Sequence, residues 1–262
     1  MSFSSEWLAL REPADLDARN RVLLAHVAAM LVGTDAPTVT DLGAGTGSTV
    51  RALAPQLPER TGWRLVDADA SLLARASWEL PEDRVETRVL DLAAELDTAL
   101  DGAVDLVSCS ALLDLVSLDW MTGLAQALKA RELPFYAALT YDGRADLTSR
   151  HPLDAALIDA VNQHQHTDKG FGPALGPDGA AAAIEQLEAV GFSVESGRSD
   201  WVLEPDEAAL QKALVTGWAE AAAELGALSP TDIEEWRAAR FAAIEAGTLE
   251  IRVGHVDVFA RP

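Results

Sequence analysis

The stretch Val39-Thr40-Asp41-Leu42-Gly43-Ala44-Gly45-Thr46-Gly47-Ser48 limits what this chain can fold into more than any other. A short apolar run ends in an acid, three glycines alternate with small residues, and a helical pattern begins at Thr49. Physically this is a strand, a tight turn and a helix start. Glycine adopts backbone angles that a Cβ forbids and lets a ligand approach the main chain closely. Such a turn feeding a helix N-terminus suits a nucleotide. The spacing narrows the choice. A dinucleotide fingerprint reads G-x-G-x-x-G, and here Ser48 stands where its third glycine would fall. No lysine follows the glycines, which excludes a P-loop.

The segments that follow repeat one theme. Trp63 to Asp67 reads as a second strand, ending in Asp67-Ala68-Asp69-Ala70 at the start of a new helix. Val85 to Leu92 alternates and ends in Asp91, and Val104 to Asp114 is a fourth strand with its loop. A helix over Asp119 to Lys129 precedes a fifth strand over Pro134 to Tyr141. Four β-then-α units and a further strand predict a doubly wound α/β fold with helices on both faces of a parallel sheet. Crossovers are right-handed, and a ligand lies beyond the carboxyl ends of the strands. Upstream, Leu16 to Leu31 has apolar positions at helical spacing and predicts one amphipathic helix.

The form D-x-G-x-G-x-G resembles motif I of the class I S-adenosylmethionine (SAM)-dependent methyltransferases, a Rossmann-like superfamily. The three strand ends after it resemble that family's next three motifs in order, over about residues 39 to 141. The resemblance implies a seven-stranded, mostly parallel sheet whose last strand is antiparallel. It places the closing helix at Asp178 to Val190, strand six at Ser193 to Leu203 and strand seven at Leu249 to Ala260. Two insertions, expected to be helical, are left after strands five and six: Asp142 to Gly176, and Pro205 to Gly247. The second reads as two helices broken at Gly226 and Ser229-Pro230. The chain is expected to form one domain over 1–262. Its parts are an N-terminal helical segment (1–35), a cofactor-binding core (36–141), an insertion carrying the substrate loop (142–177) and the remainder (178–262).

The same resemblance implies roles. Asp41, Gly43, Ala44, Gly45 and Gly47 form the cofactor turn. Asp67, with Ala68 beside it, accepts the ribose hydroxyls through charge-assisted hydrogen bonds, while Asp69 reads as a helix cap. Asp91 meets the adenine amino group and the Leu92 N–H a ring nitrogen. Ser108 and Ser110 pass beneath the methionine part. An N-terminal segment often closes over the cofactor, so Arg11 and Arg19 either meet a carboxylate there or are solvated charges. Asp114 lies on the loop facing the transferred methyl and is a candidate base or substrate ligand. The implied reaction is in-line transfer of a methyl group from the SAM sulfonium to O, N or C of an acceptor, leaving S-adenosylhomocysteine (SAH). Alignment of the reactants supplies much of that catalysis.

The least ordinary stretch is His164-Gln165-His166-Thr167-Asp168-Lys169-Gly170-Phe171-Gly172-Pro173. It mixes titratable and aromatic groups with glycines, and loops on a rigid scaffold carry function. It reads as a lid over the acceptor site. His164 and His166 are its candidate bases, because imidazole titrates near neutrality. Asp168, Lys169 and Phe171 are candidate substrate contacts, with Arg11 and Trp201; for Trp201 a core position is the other reading. His-x-His in an extended segment would put both rings on one face, but no second cluster has ligand spacing, so no metal is expected.

Composition bounds the partners. The net charge is -22 over 262 residues, and nucleic-acid backbones and anionic membranes call for a positive surface. A small-molecule acceptor is therefore expected, with no nucleic acid and no membrane. The N/D-P-P-Y/F motif of amino-group methylation is absent after strand four. Cys109 is the only cysteine, so no internal disulfide forms. No apolar run is long enough to span a bilayer, and Met1 to Glu12 lacks a leader pattern. A cytoplasmic monomer or homodimer is the expectation. Three rivals stay open: a non-catalytic SAM- or SAH-binding protein, a nicotinamide-dependent oxidoreductase, and aminopropyl transfer from decarboxylated SAM.

Overall fold

The computed structural model describes residues 4–77 and 81–262. The first three residues of the expected N-terminal segment, and 78–80, lie outside the described residues. Its strands are β1 (Thr38–Leu42), β2 (Gly62–Asp67), β3 (Val85–Val89), β4 (Leu106–Ser110), β5 (Phe135–Leu147), β6 (Ser193–Arg198), β7 (Trp201–Leu203) and β8 (Ile251–Arg261). They form one sheet in the order β3-β2-β1-β4-β5-β8-β6, with β7 also on β8. The first five are parallel, and β8 runs antiparallel to β5, β6 and β7. The order reverses at β1 and β4, where a crevice opens beyond the strand ends.

The described helices are α1 (Ser5–Ala18), α2 (Arg21–Leu31), α3 (Ser48–Leu53), α4 (Ala70–Ser77), α5 (Leu96–Ala99), α6 (Leu118–Ala130), α7 (Asp154–Gln165), α8 (Gly179–Ala189), α9 (Ala208–Leu225) and α10 (Pro230–Glu245). Two apolar clusters cover the faces of the sheet. One gathers Leu42, Val107 and Phe135 with Leu124 of α6 and Leu187 of α8. The other gathers Val39, Leu65 and Tyr136 with Val27 of α2, Leu53 of α3 and Leu73 of α4. The inserted helices add a third core, in which Leu157 of α7, Trp218 of α9 and Trp236 of α10 pack on Tyr141 and Ile251.

Three sequence expectations change. The helix expected over 16–31 is two helices, broken at Arg19-Asn20. There Asn20 Oδ1 accepts the Val22 and Leu23 N–H groups, both at 3.1 Å, and starts α2 afresh. Strand six is split into β6 and β7 at Ser199-Asp200, which gives eight segments. Asp200 leaves the ladder to bond Arg144 at 2.8 Å. The fifth strand, expected to end at Tyr141, continues to Leu147, and the helix of the first insertion, α7, follows it.

Candidate active site

The glycine turn has the predicted backbone. Gly43, Gly45 and Gly47 have φ of 67°, 53° and 87°, all left-handed, and Gly47 caps α3. An added Cβ on Gly47 would lie 3.2 Å from the Ala76 side chain of α4, so the position is closed to larger residues twice over. Helix α1 lies over this turn: Leu8 comes within 3.4 Å of a Cβ built on Gly45. Glu12 pairs with Arg51 of α3, whose Nη1 donates to Thr46 O at 2.8 Å.

Asp67 ends β2 and joins two turns. Its Oδ2 accepts the Gly45 N–H and its Oδ1 the Asp69 N–H, each at 2.9 Å. Asp69 in turn accepts Ser71 N at 2.8 Å as the cap of α4. Beyond β3, exposed Asp91 accepts Ala93 N at 3.0 Å. Leu92 is buried, and its carbonyl accepts Trp120 Nε1 at 2.7 Å. At the end of β4, Ser110 Oγ receives Arg19 Nη2 and shares a hydrogen bond with Thr49 Oγ1, both at 2.9 Å. Ala111, next along, has a left-handed φ of 49°.

These strand ends line one cavity of about 720 Å³, within the ~300–1,000 Å³ of small-molecule sites. Of the residues singled out from the sequence, Gly43, Ala44, Gly45, Asp67, Ala68, Asp91, Leu92, Ser110, Arg11, Lys169 and Phe171 line it. Asp41, Gly47 and Ser108 do not line it. Ser108 Oγ donates to Asp41 Oδ1 at 2.7 Å, both fully buried. Burial pushes the Asp41 carboxyl up to about 7, against the Ser108 hydrogen bond and the Arg19 charge. Arg19 is not a solvated charge: it is 2% exposed, and its Nε and Nη1 have no partner.

Several acceptor-side candidates sit elsewhere. His164 belongs to α7 and bonds Glu224 at 2.9 Å, away from the cavity lining. His166 caps the same helix and meets Ala174 O at 3.3 Å. The segment is the end of a helix, where residues two apart do not share a face, so the two rings do not pair as an extended segment would have them. Asp168 spends one oxygen on the Gly170 and Gly172 N–H groups, at 2.7 and 3.0 Å, and shapes the loop. Trp201 is buried, donates to Asp15 Oδ1 at 3.0 Å and packs on His255. Asp15, not singled out from the sequence as a site residue, lines the cavity and grips Arg11 through two hydrogen bonds of 2.9 and 3.0 Å.

Asp114 is set apart by what it lacks. It is 8% exposed, and its Oδ1 is enclosed without a partner. Burial raises its carboxyl to about 6, opposed by its own backbone N–H and by the charges of Arg11 and Lys169. It does not itself line the cavity; it sits two residues after Leu112 and directly before Leu115, both of which do.

Neither a protein-family model nor a curated protein matches the sequence. Solved structures do. A mycolic acid cyclopropane synthase, CmaA1, solved with SAH and CTAB, is 11% identical with a TM-score of 0.52, over 92% of this chain and 83% of its own. The YcgJ protein from Bacillus subtilis is 15% identical with a TM-score of 0.52, over 92% of this chain and 99% of its own. The chain shares the Rossmann-like α/β fold of these two structures. At these identities the likeness is one of architecture. It leaves the chemistry to the site.

Proposed function

We propose that this chain transfers a methyl group from SAM to a small-molecule acceptor. The observation that carries the reading is convergence: the glycine turn, Asp67, Asp91-Leu92 and Ser110, from four successive strand ends, border a single cavity. The donor set suits the cofactor. Ser48, on the cavity wall, has an enclosed hydroxyl with no partner. Asp67 is pre-oriented by two backbone N–H groups and keeps lone pairs for a ribose. When bound, SAM supplies a methyl carbon already activated by its sulfonium.

The rest falls to the protein. Asp67 holds the ribose, and the strand end at Asp91-Leu92 borders the adenine. Ser110, fixed by Arg19 and Thr49, meets the methionine end. Leu8 and Arg11 of α1, with Phe171 on the opposite loop, cover the cavity and exclude water. The Phe171 ring is itself braced edge-on against Trp120 at 5.4 Å. Asp114, directly before the lining residue Leu115, would take the proton from an acceptor hydroxyl or amine. A carboxyl at about 6 is mostly ionised at neutral pH and has a pKa near the working pH, as a general base needs. The chain's charge of -22 supports a small acceptor over a nucleic acid.

Calorimetric titration with SAH tests the reading. Micromolar binding is expected, weakened at least about tenfold in Asp67→Ala with the circular dichroism spectrum unchanged. Wild-type affinity in a folded Asp67→Ala protein would remove Asp67 from the site.

A further inference from the structure

Lys169 is the side chain the cofactor reading leaves unexplained. It is 6% exposed, lines the cavity and sits on the loop between α7 and α8. Burying an ammonium is costly unless an anion compensates. Among the described residues Lys169 makes no ion pair. Its Nζ meets Thr167 Oγ1 at 2.9 Å and His164 Nδ1 at 3.4 Å, neither of them charged as an anion. An ammonium has three donors, so one is left over beside the cavity.

Two carboxylates act on it from a distance. Glu224 is mostly exposed and bonded to His164, and Asp114 is itself buried and unpaired. Burial accordingly holds the Lys169 ammonium below its ordinary range despite both. Arg11 lines the same cavity, and its charge also reaches Asp114. Its guanidinium lies 4.9 Å from the Trp201 ring centroid and is held by Asp15, which compensates its charge and leaves Lys169 as the cation without a paired carboxylate on this wall. In a chain with 42 acids and 20 bases, a buried lysine on a cavity wall with no directly paired carboxylate calls for a local cause.

We propose that the cavity under the 167–172 loop contains a subsite for an anionic group of the acceptor, a carboxylate or a phosphate, held by Lys169 with Arg11 alongside. This rests on the methyltransferase reading and narrows it to acidic small molecules. The loop is built to hold the lysine still. Asp168 ties the Gly170 and Gly172 N–H groups, Thr167 Oγ1 donates to His164 O at 2.8 Å, and Phe171 packs on Trp120. A fixed ammonium loses little entropy when the anion arrives.

The test titrates SAH-loaded protein with benzoate and, separately, with inorganic phosphate, by calorimetry. At least one is expected to bind, and the tighter of the two names the anion. Lys169→Met is expected to weaken that binding at least about tenfold, to leave SAH affinity within about twofold, and to keep the wild-type circular dichroism spectrum; Lys169→Arg is expected to retain most of the binding. Three results overturn the proposal: no binding of either anion to wild type, equal binding to a folded Lys169→Met protein, or loss of SAH affinity in Lys169→Met while adenosine affinity is kept. The last would mean that Lys169 serves the carboxylate of the cofactor itself. If SAH fails to bind wild type, the same anions are titrated into the unloaded protein. Binding that disappears in Lys169→Met would then retain the anion site and reject the cofactor reading.

Discussion

Asp114 and His255 are both buried, both sit near Tyr141, and respond to pH with opposite sign. Burial raises Asp114 from 3.8 to about 6, so the folded chain holds a proton that the unfolded chain releases. Its contribution to stability is complete below pH 3.8 and is lost as pH rises through about 6. Asp114→Asn is therefore expected to stabilise the fold at neutral pH by on the order of 1–3 kcal/mol, with the gain gone near pH 4 in urea denaturation. An equal gain at both pH values would refute the assignment of a raised carboxyl. As the proposed proton acceptor, the same variant should lose turnover while keeping SAH affinity. His255 behaves the other way. Burial, with the Arg11 charge, pushes its imidazole from 6.5 down to about 3. The ring lies between Tyr141 and Trp201, at 6.1 and 5.1 Å, and Nδ1 donates to Val253 O. Its stability is present above pH 6.5 and lost as pH falls toward about 3. His255→Phe should flatten the stability curve between about pH 6 and 4, and an unchanged acid limb would count against a buried neutral ring.

Strand β5 is where the elements around the site are joined. It runs thirteen residues with register shifts between Ala137 and Thr140 and again between Tyr141 and Ala145. The first shift is held by one carboxylate of β8. Asp257 accepts Leu139 N at 2.8 Å, where φ is 57°, and also accepts Asn20 N at 2.8 Å and Tyr136 Oη at 3.2 Å. It thus sets both the bend of β5 and the entry into α2. Asp257→Ala leaves these buried donors unpaired at roughly 1–3 kcal/mol each, so a loss of about 3 kcal/mol or more is expected in urea denaturation. A loss below about 1 kcal/mol would mean that water replaces the carboxylate without cost. The sequence conceals this arrangement for a physical reason. Asp142-Gly143-Arg144 reads as the start of an insertion, and its strand state depends on β8 and on the Arg144–Asp200 ion pair, more than fifty residues away. By contrast β1 to β3 were legible because each is a short apolar or alternating run stopped locally by Gly or Asp. The cavity divides the same way. Gly43, Asp67 and Asp91 are legible because each ends a strand within the βα repeat. Arg11 and Lys169 come from two distant segments and are singled out by the resemblance and by composition, not by spacing. His164 and His166 attracted attention by composition alone, and α7 carries them away from the cavity.

At the scale of the whole molecule, charge is the dominant unbalanced term. Forty-two acids face twenty bases, so folding gathers 22 uncompensated negative charges into a smaller volume. Self-repulsion of this kind disfavours the compact state. Surface ion pairs such as Arg60–Asp35, exposed on both sides, offset little of it, at about 0–1 kcal/mol each. Salt acts on both contributions. It weakens the exposed pairs and screens the repulsion, with a Debye length falling from about 30 Å at 0.01 M to about 8 Å at 0.15 M. The repulsion involves more charges over longer distances, so its screening prevails. Raising sodium chloride from about 0.01 to about 0.15 M should therefore stabilise the fold by about 1 kcal/mol, or a Tm increase of about 2–4 °C for a chain of this size. Calorimetric melting over that salt series checks it. A falling Tm would mean that the acids are organised into networks, with the Arg144–Asp200–Arg252 cluster as the first to examine. The Lys169→Met protein should follow the same salt dependence, because a buried charge is screened far less than the surface. A distinct slope in that variant would show that Lys169 is open to solvent ions.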